Sequence, residues 1–225
     1  MNKDLYELDK LYKENKFNQV VKQSKLLINS KESIAAFYNL LGLSLSRLGK
    51  DKEAEFFFLD GINKFPNEVS LKSNIALTQI NLNKINTAEK NLNEALKINS
   101  DDIYIQYALG HLKRAQLKFD EAVKIFKHIC EKNIKFGRAL LLLGQSYLDL
   151  AHQTNKKEFY ELAKKNLLLC SELFPKFFGV DYTLSTIIDY SENNYHQKKM
   201  LNKIEKISPS ENDKYLVYFA LGKSF

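Results

Sequence analysis

The chain has 225 residues, 34 basic and 27 acidic side chains, a formal charge of +7, eight glycines and three prolines. That length can bury a sizeable core as one domain or one array, and the scarcity of Gly and Pro suits helices better than sheets. Both charge signs are abundant and the densest basic runs are only pairs (Lys156-Lys157, Lys164-Lys165, Lys198-Lys199), which argues against a nucleic-acid partner.

The start, MNKDLYELDK, mixes acids and bases and does not read as a signal peptide. The longest apolar run, Ala139–Leu143, is too short to span a bilayer, so the expectation is a cytoplasmic chain with no membrane partner. Cys130 and Cys170 read as small buried apolar residues, since no CxxC or His/Cys spacing points to zinc.

In chain order, residues 1–34 place Leu8, Leu11, Phe17, Val20 and Leu27 at helical spacing, with a break at Asn15. Asn tolerates the left-handed backbone of such a break. Asn29-Ser30 supply turn chemistry at the end. Residues 35–68 carry the cleanest pattern. Tyr38, Leu41 and Leu45 predict one helix over Ala35–Leu48, and Gly49 stops it. A second helix over about Asp51–Phe65 turns Ala54, Phe58 and Gly61 inward, and Pro66 ends the pair. Small residues at Gly42, Ala54 and Gly61 allow a close helix crossing, with large residues filling the space beside it.

The set Tyr38, Leu41-Gly42, Leu45, Ala54, Phe58 and Pro66 resembles the tetratricopeptide repeat, with its period of 34 residues. Tyr38 stands where that family has Trp, and Leu45 where it has Tyr. The same register continues through residues 69–102, with Ile75-Ala76, Asn83, Ala88, Leu92 and Ala95, and Ser100-Asp101-Asp102 can cap the next helix. Residues 103–136 repeat it with Leu109-Gly110, Phe119, Ala122 and Phe126. Residues 137–177 open on Leu143-Gly144 and Tyr147, but Ala163, Leu167, Cys170 and Pro175 fit only with a seven-residue insertion at about 151–157. That insertion contains no breaker and predicts longer helices or a protruding helical turn. Residues 178–211 hold the pattern weakly through Leu184, Ile188, Leu201, Ile204 and Pro209, with a turn at Glu192-Asn193-Asn194. A half repeat, 212–225, carries Tyr218 and Leu221-Gly222. The resemblance implies an all-α, right-handed superhelical solenoid of antiparallel helix pairs, a single array over 1–225.

The resemblance also implies a concave groove lined by the first helix of each pair, and a non-catalytic scaffold that binds protein or peptide there. The residues opposite the core-facing ones include Asn39 and Arg47, Asn81, then Tyr104, Tyr107, His111 and Arg114, and then Arg138 and Gln145. The three arginines, Arg47, Arg114 and Arg138, all fall on this face although the chain holds 31 lysines. Arg makes planar bidentate contacts to carboxylates that Lys cannot, and Tyr104 and Tyr107 beside it are aromatic anchors. An extended peptide with acidic character is the expected partner. Two family specialisations are missing. The carboxylate clamp of chaperone-binding members keeps only Asn74, and an asparagine ladder would need Asn where the chain has Leu40, Asn74, Ala108, Leu142 and Thr183.

No P-loop, GxGxxG, GxSxG or HExxH occurs, and the four histidines show no ligand spacing, so no catalytic residue, metal or cofactor is expected. The last helix carries Tyr215, Leu216, Tyr218, Phe219, Leu221 and Phe225, more apolar surface than one face can bury. That predicts continuation of the chain or association with a copy of itself. Asp213 to Phe225 also resembles the junction where a bacterial tetratricopeptide array enters a sulfotransferase domain. The alternative it implies is the substrate-recruiting part of a larger enzyme whose catalytic domain lies outside these residues.

Overall fold

The computed structural model describes residues 2–30, 33–191, 194–207, 209 and 211–225, with Glu211 and Asn212 as backbone only. Glu192 and Asn193, expected at a turn, lie outside the described residues. Among those residues there are thirteen α-helices and no strand. They are α1 Lys3–Lys13, α2 Phe17–Leu27, α3 Ala35–Arg47, α4 Asp51–Lys64, α5 Val69–Asn81, α6 Ile85–Ile98, α7 Ile103–Ala115, α8 Phe119–Lys132, α9 Gly137–Thr154, α10 Lys157–Leu173, α11 Phe178–Ser185, α12 Tyr195–Lys206 and α13 Glu211–Ser224. They form two compact units, Met1–Leu117 and Lys118–Phe225.

The N-terminal unit is built from helix pairs whose breaks share one geometry. Asn15, Gly49, Asn83 and Leu117 all have positive φ, at 59°, 73°, 58° and 59°. Each follows the last helical turn of α1, α3, α5 or α7, and reverses the chain where a right-handed residue would extend the helix. Asn and Gly adopt this conformation at little cost. Leu117 does not, and its side chain is 66% exposed.

Packing within a pair follows the small-against-large pattern. Tyr38, Leu41, Leu45, Ala54 and Phe58 are fully buried. A Cβ added to Gly42 would lie within 2.7 Å of three atoms of the Phe58 ring, so glycine is what lets α3 and α4 approach. Phe58 then fills the crossing, and burying a side chain of that size is worth about 2–3 kcal/mol. A core runs from Leu8 through Phe58 to Leu71 and Ile75, and another from Ala76 through Leu92 to Leu112.

The C-terminal unit begins in the same style. In α9 and α10 a Cβ on Gly144 would fall 2.6 Å from Leu167 Cγ. These helices have 18 and 17 residues against 13 and 14 in α3 and α4, and the connection between them is one residue shorter. Seven extra residues are absorbed as helix, and Asn155 makes the turn at φ 54°.

The regular pattern ends at α11, which has only eight residues. Ser185 Oγ donates to Tyr182 O at 2.7 Å and Thr186 Oγ1 to Thr183 O at 2.7 Å, so hydroxyls satisfy the last carbonyls in place of a further turn. Ser185 also stands where Gly144 stands one repeat earlier. Across from it the expected core residue Leu201 is 40% exposed, and Met200 and His196 are buried instead. The register of α12 has slipped by one residue. With serine instead of glycine at that position there is no close crossing for Leu201 to fill, and the backbones of α11 and α12 stay apart.

Candidate functional site

In the N-terminal unit the first helices adjoin one another: α1 packs against α3, α3 against α5, and α5 against α7. Their outward residues therefore share one face. At its middle, Asn74 Nδ2 donates to Asn39 Oδ1 at 2.7 Å, which ties α5 to α3. Arg47 and Asn81, both exposed, end α3 and α5. Arg114, half-buried, stands in the last turn of α7, so these three mark one edge of the face.

Helix α7 contributes most of the chemistry. Tyr104, Tyr107, His111 and Arg114 are spaced three, four and three apart, which aligns them on one helix face. Asp102 fixes the start of that helix, its Oδ1 accepting from the amides of Tyr104 and Ile105 at 2.8 and 3.0 Å. Tyr104 is 60% exposed. The Tyr107 and His111 rings meet edge to face with centroids 4.7 Å apart. Burial, with the Arg114 charge adding to it, pushes the His111 pKa down to about 4. At neutral pH His111 is an uncharged hydrogen-bonding ring next to a permanent cation.

Arg138 and Gln145 lie on α9 in the C-terminal unit, Arg138 exposed and Gln145 half-buried. Of the asparagine-ladder positions, Ala108 and Leu142 are buried, while Leu40, Asn74 and Thr183 are half-buried. Ser73 of α5 is buried, and its hydroxyl donates to Ser70 O at 3.1 Å.

Two polar clusters were not legible in the pattern. Between α4, α5 and α6, Gln79 donates to Glu55 at 3.2 Å and accepts from Asn91 at 2.8 Å, while Lys84 pairs with Glu55 at 2.5 Å. In the C-terminal unit Asp181 is 3% exposed and binds Lys203, Ser171 Oγ at 2.8 Å and His196 Nε2 at 3.4 Å. Tyr190 Oη lies 2.6 Å from His196 Nδ1. Burial alone would raise the Asp181 pKa, but His196, Lys203 and Ser171 more than offset that and hold it below its ordinary value. Tyr190 is pushed the other way, up to about 12, by burial and by the Asp181 charge. A phenol held that firmly protonated is a poor nucleophile, and a carboxylate already ion-paired is a poor base. The chain Tyr190–His196–Asp181–Lys203 reads as a clasp between helices.

Both thiols are free and buried, and burial pushes Cys130 up to about 11 and Cys170 up to about 12. Such thiols are inert packing groups. Among the described residues no group of three His, Cys, Asp or Glu could hold a metal, and no helix is long and apolar enough to cross a membrane.

The profile of the tetratricopeptide repeat matches residues 69–102, the stretch holding α5 and α6. Solved structures extend the likeness over the rest of the chain. The human IFIT1 dimer with PPP-AAAA superposes at TM-score 0.78 and 16% identity, over 98% of this chain and 53% of that one. The fold is that of a tetratricopeptide repeat array. A thermophilic tetratricopeptide protein of Thermus thermophilus, TTC0263, matches at TM-score 0.66 and 16% identity, over 84% of this chain and 99% of its own. Pseudomonas aeruginosa pilF matches at 0.62 and 14%, over 84% and 86%. This chain thus spans about half the length of IFIT1 and nearly all of TTC0263. No curated protein matches it in sequence.

Proposed function

We propose that this tetratricopeptide array is a non-catalytic scaffold that holds an extended, partly acidic peptide on the first-helix face of its N-terminal unit. The observation that carries the reading is the alignment of Tyr104, Tyr107, His111 and Arg114 on α7, beside the Asn39–Asn74 pair and the polar edge of Arg47 and Asn81. Exposed aromatic surface next to Arg is the composition of an interface hot spot. Uncharged His111 leaves Arg114 as the cation there, which favours a carboxylate on the peptide. Arg138 and Gln145 make a second, smaller polar patch on α9. The two free thiols suit a reducing compartment, and we place the protein in the cytoplasm.

The test is affinity capture followed by titration with peptides from the captured proteins. Tyr104→Ala or Arg114→Ala should each weaken binding by about 1–2 kcal/mol, roughly five- to thirtyfold. Arg138→Ala should have the smaller effect. Unchanged affinity in both α7 variants for every captured partner would refute the site. Binding should also stay flat between about pH 6 and 8, because His111 does not titrate there.

A further inference from the structure

Four turns of the N-terminal unit share one left-handed residue, and one of the four is out of character. Asn15, Gly49 and Asn83 hold φ of 59°, 73° and 58° with residues suited to it, whereas position 117, at φ 59°, is leucine. A residue with a Cβ strains the backbone there, and such strain persists where another interaction offsets it. Burial does not: Leu117 is 66% exposed. Neither the turn nor the core of the free protein gains from an apolar side chain at this place. The interaction that offsets the strain is therefore one made with a ligand.

The place of Leu117 in the fold says which ligand. Tyr104, Tyr107, His111 and Arg114 run along α7, and Leu117 follows three residues after Arg114. The Leu117 amide donates to Arg114 O at 2.9 Å, closing a turn. A turn of that kind keeps its end Cα atoms within about 7 Å of each other. An exposed apolar side chain thus stands next to Arg114, at the edge of the face.

Resting on the reading that α7 holds a peptide carboxylate through Arg114, we propose that Leu117 is a specificity-determining residue of the same site. The peptide it selects carries an aliphatic side chain two residues from that carboxylate. In an extended peptide alternate side chains lie on one side, about 7 Å apart, which matches the separation of the two turn ends. An acidic and an aliphatic side chain at that spacing can reach Arg114 and Leu117 together. The contact removes apolar surface from water on both partners, a gain that the free protein lacks.

The probe is a pool of capped octapeptides with aspartate fixed at the fourth position and the other positions random. It is passed over the immobilised 225-residue protein, and the bound peptides are sequenced. Wild type should enrich Leu, Ile, Val or Met two residues from the aspartate. Leu117→Asn supplies the residue found in the same turn at Asn15 and Asn83, and it should lose that enrichment alone. For the best selected peptide, Leu117→Asn should weaken binding about tenfold, and so should Ala in place of the peptide's aliphatic residue. The two changes together should weaken it no more than either one, since they remove the same contact. Leu117→Met keeps an apolar side chain of similar volume and should stay within about twofold of wild type.

Peptides that depend on Arg114 but bind Leu117→Asn with the affinity and selection of wild type would overturn this proposal and leave the α7 site standing. Selection indifferent to Arg114→Ala, or no selection at all, would overturn both. Leu117→Asn should melt no lower than wild type. A lower midpoint would make Leu117 a packing residue and overturn the proposal by itself.

Discussion

The α3–α4 crossing and the α11–α12 contact solve the same problem with opposite chemistry. In α3–α4 a glycine admits the neighbouring backbone and Phe58 fills what is left, so the join is short-range and apolar. In α11–α12 Ser185 stands where the glycine would be and the backbones stay apart, so long polar side chains span the gap: Lys203 and His196 reach across to Asp181. An apolar crossing tolerates no change of volume, since interiors pack like crystals. A buried ion cluster tolerates no change of charge. It is less sensitive to shape, because its members are flexible and Lys203 also lies over the Phe178 ring, 4.9 Å from its centroid.

The largest effects should separate the two. Phe58→Ala should destabilise by about 3–5 kcal/mol through a cavity at the crossing. Asp181→Ala should cost a similar amount, about 3–5 kcal/mol, because it strands the Lys203 charge in the interior. The double replacement Asp181→Leu with Lys203→Met should recover most of that loss, since a well-packed apolar pair can match a buried ion pair. No partner change should rescue Phe58→Ala. Urea unfolding of these variants decides it, and a double variant as unstable as Asp181→Ala would mean that the clasp acts by shape after all.

Overpacking comes next. Gly144→Ala should cost about 1–3 kcal/mol, because its Cβ would press on Leu167, which is itself fully buried. Helix propensity alone would make the same change stabilising by about 1 kcal/mol. The sign of the measured difference therefore reports directly on how tight the crossing is.

Acid should distinguish the two units again. The folded pKa of Asp181 lies below its ordinary 3.8, so the clasp contributes fully above that value and is lost only as pH falls through the lower folded one. His111 in the N-terminal unit is lowered from 6.5 to about 4. Between those two values the unfolded chain takes up a proton that the folded chain refuses, so stability falls as pH drops through that window. His111→Gln should remove the part of the acid sensitivity that His111 contributes between 6.5 and about 4, whereas Asp181→Asn should lower stability already at neutral pH and flatten the loss below 3.8. Denaturant midpoints measured across that range would show both.

The repeated helix pairs were legible because each rests on a local, periodic signal. Tyr38, Leu41, Gly42 and Phe58 recur at fixed spacing, and so do the left-handed turns at Asn15, Gly49 and Asn83. The residues proposed for the α7 face were also readable, since a helix of known core face has a determined opposite face. The slip in α12 was not. Leu201 and Met200 are adjacent apolar residues, and the choice between them depends on a shortened α11 and on Asp181, whose partners are 15 and 22 residues away with no period. Charges that bridge helices at irregular spacing leave no trace in a hydrophobic pattern.

The smallest expected effect falls on the one turn that breaks its own rule. Leu117 holds the same left-handed backbone as Gly49, and its amide bonds back to Arg114 O at 2.9 Å, as that of Gly49 does to Ser46 O at 3.0 Å. For a residue with a Cβ that conformation costs about 1–2 kcal/mol. Its exposed side chain recovers little of this through burial. Leu117→Gly removes the strain but frees the unfolded backbone, which returns part of the gain. The net should be a stabilisation of about 0.5–1 kcal/mol, with Leu117→Asn gaining somewhat less. The reciprocal Gly49→Leu should destabilise by a similar amount through the same backbone. If thermal melts showed Leu117→Gly to be destabilising, the leucine side chain would be holding this turn by contacts that outweigh its strain, and position 117 would be a packing site where positions 15, 49 and 83 are only turns.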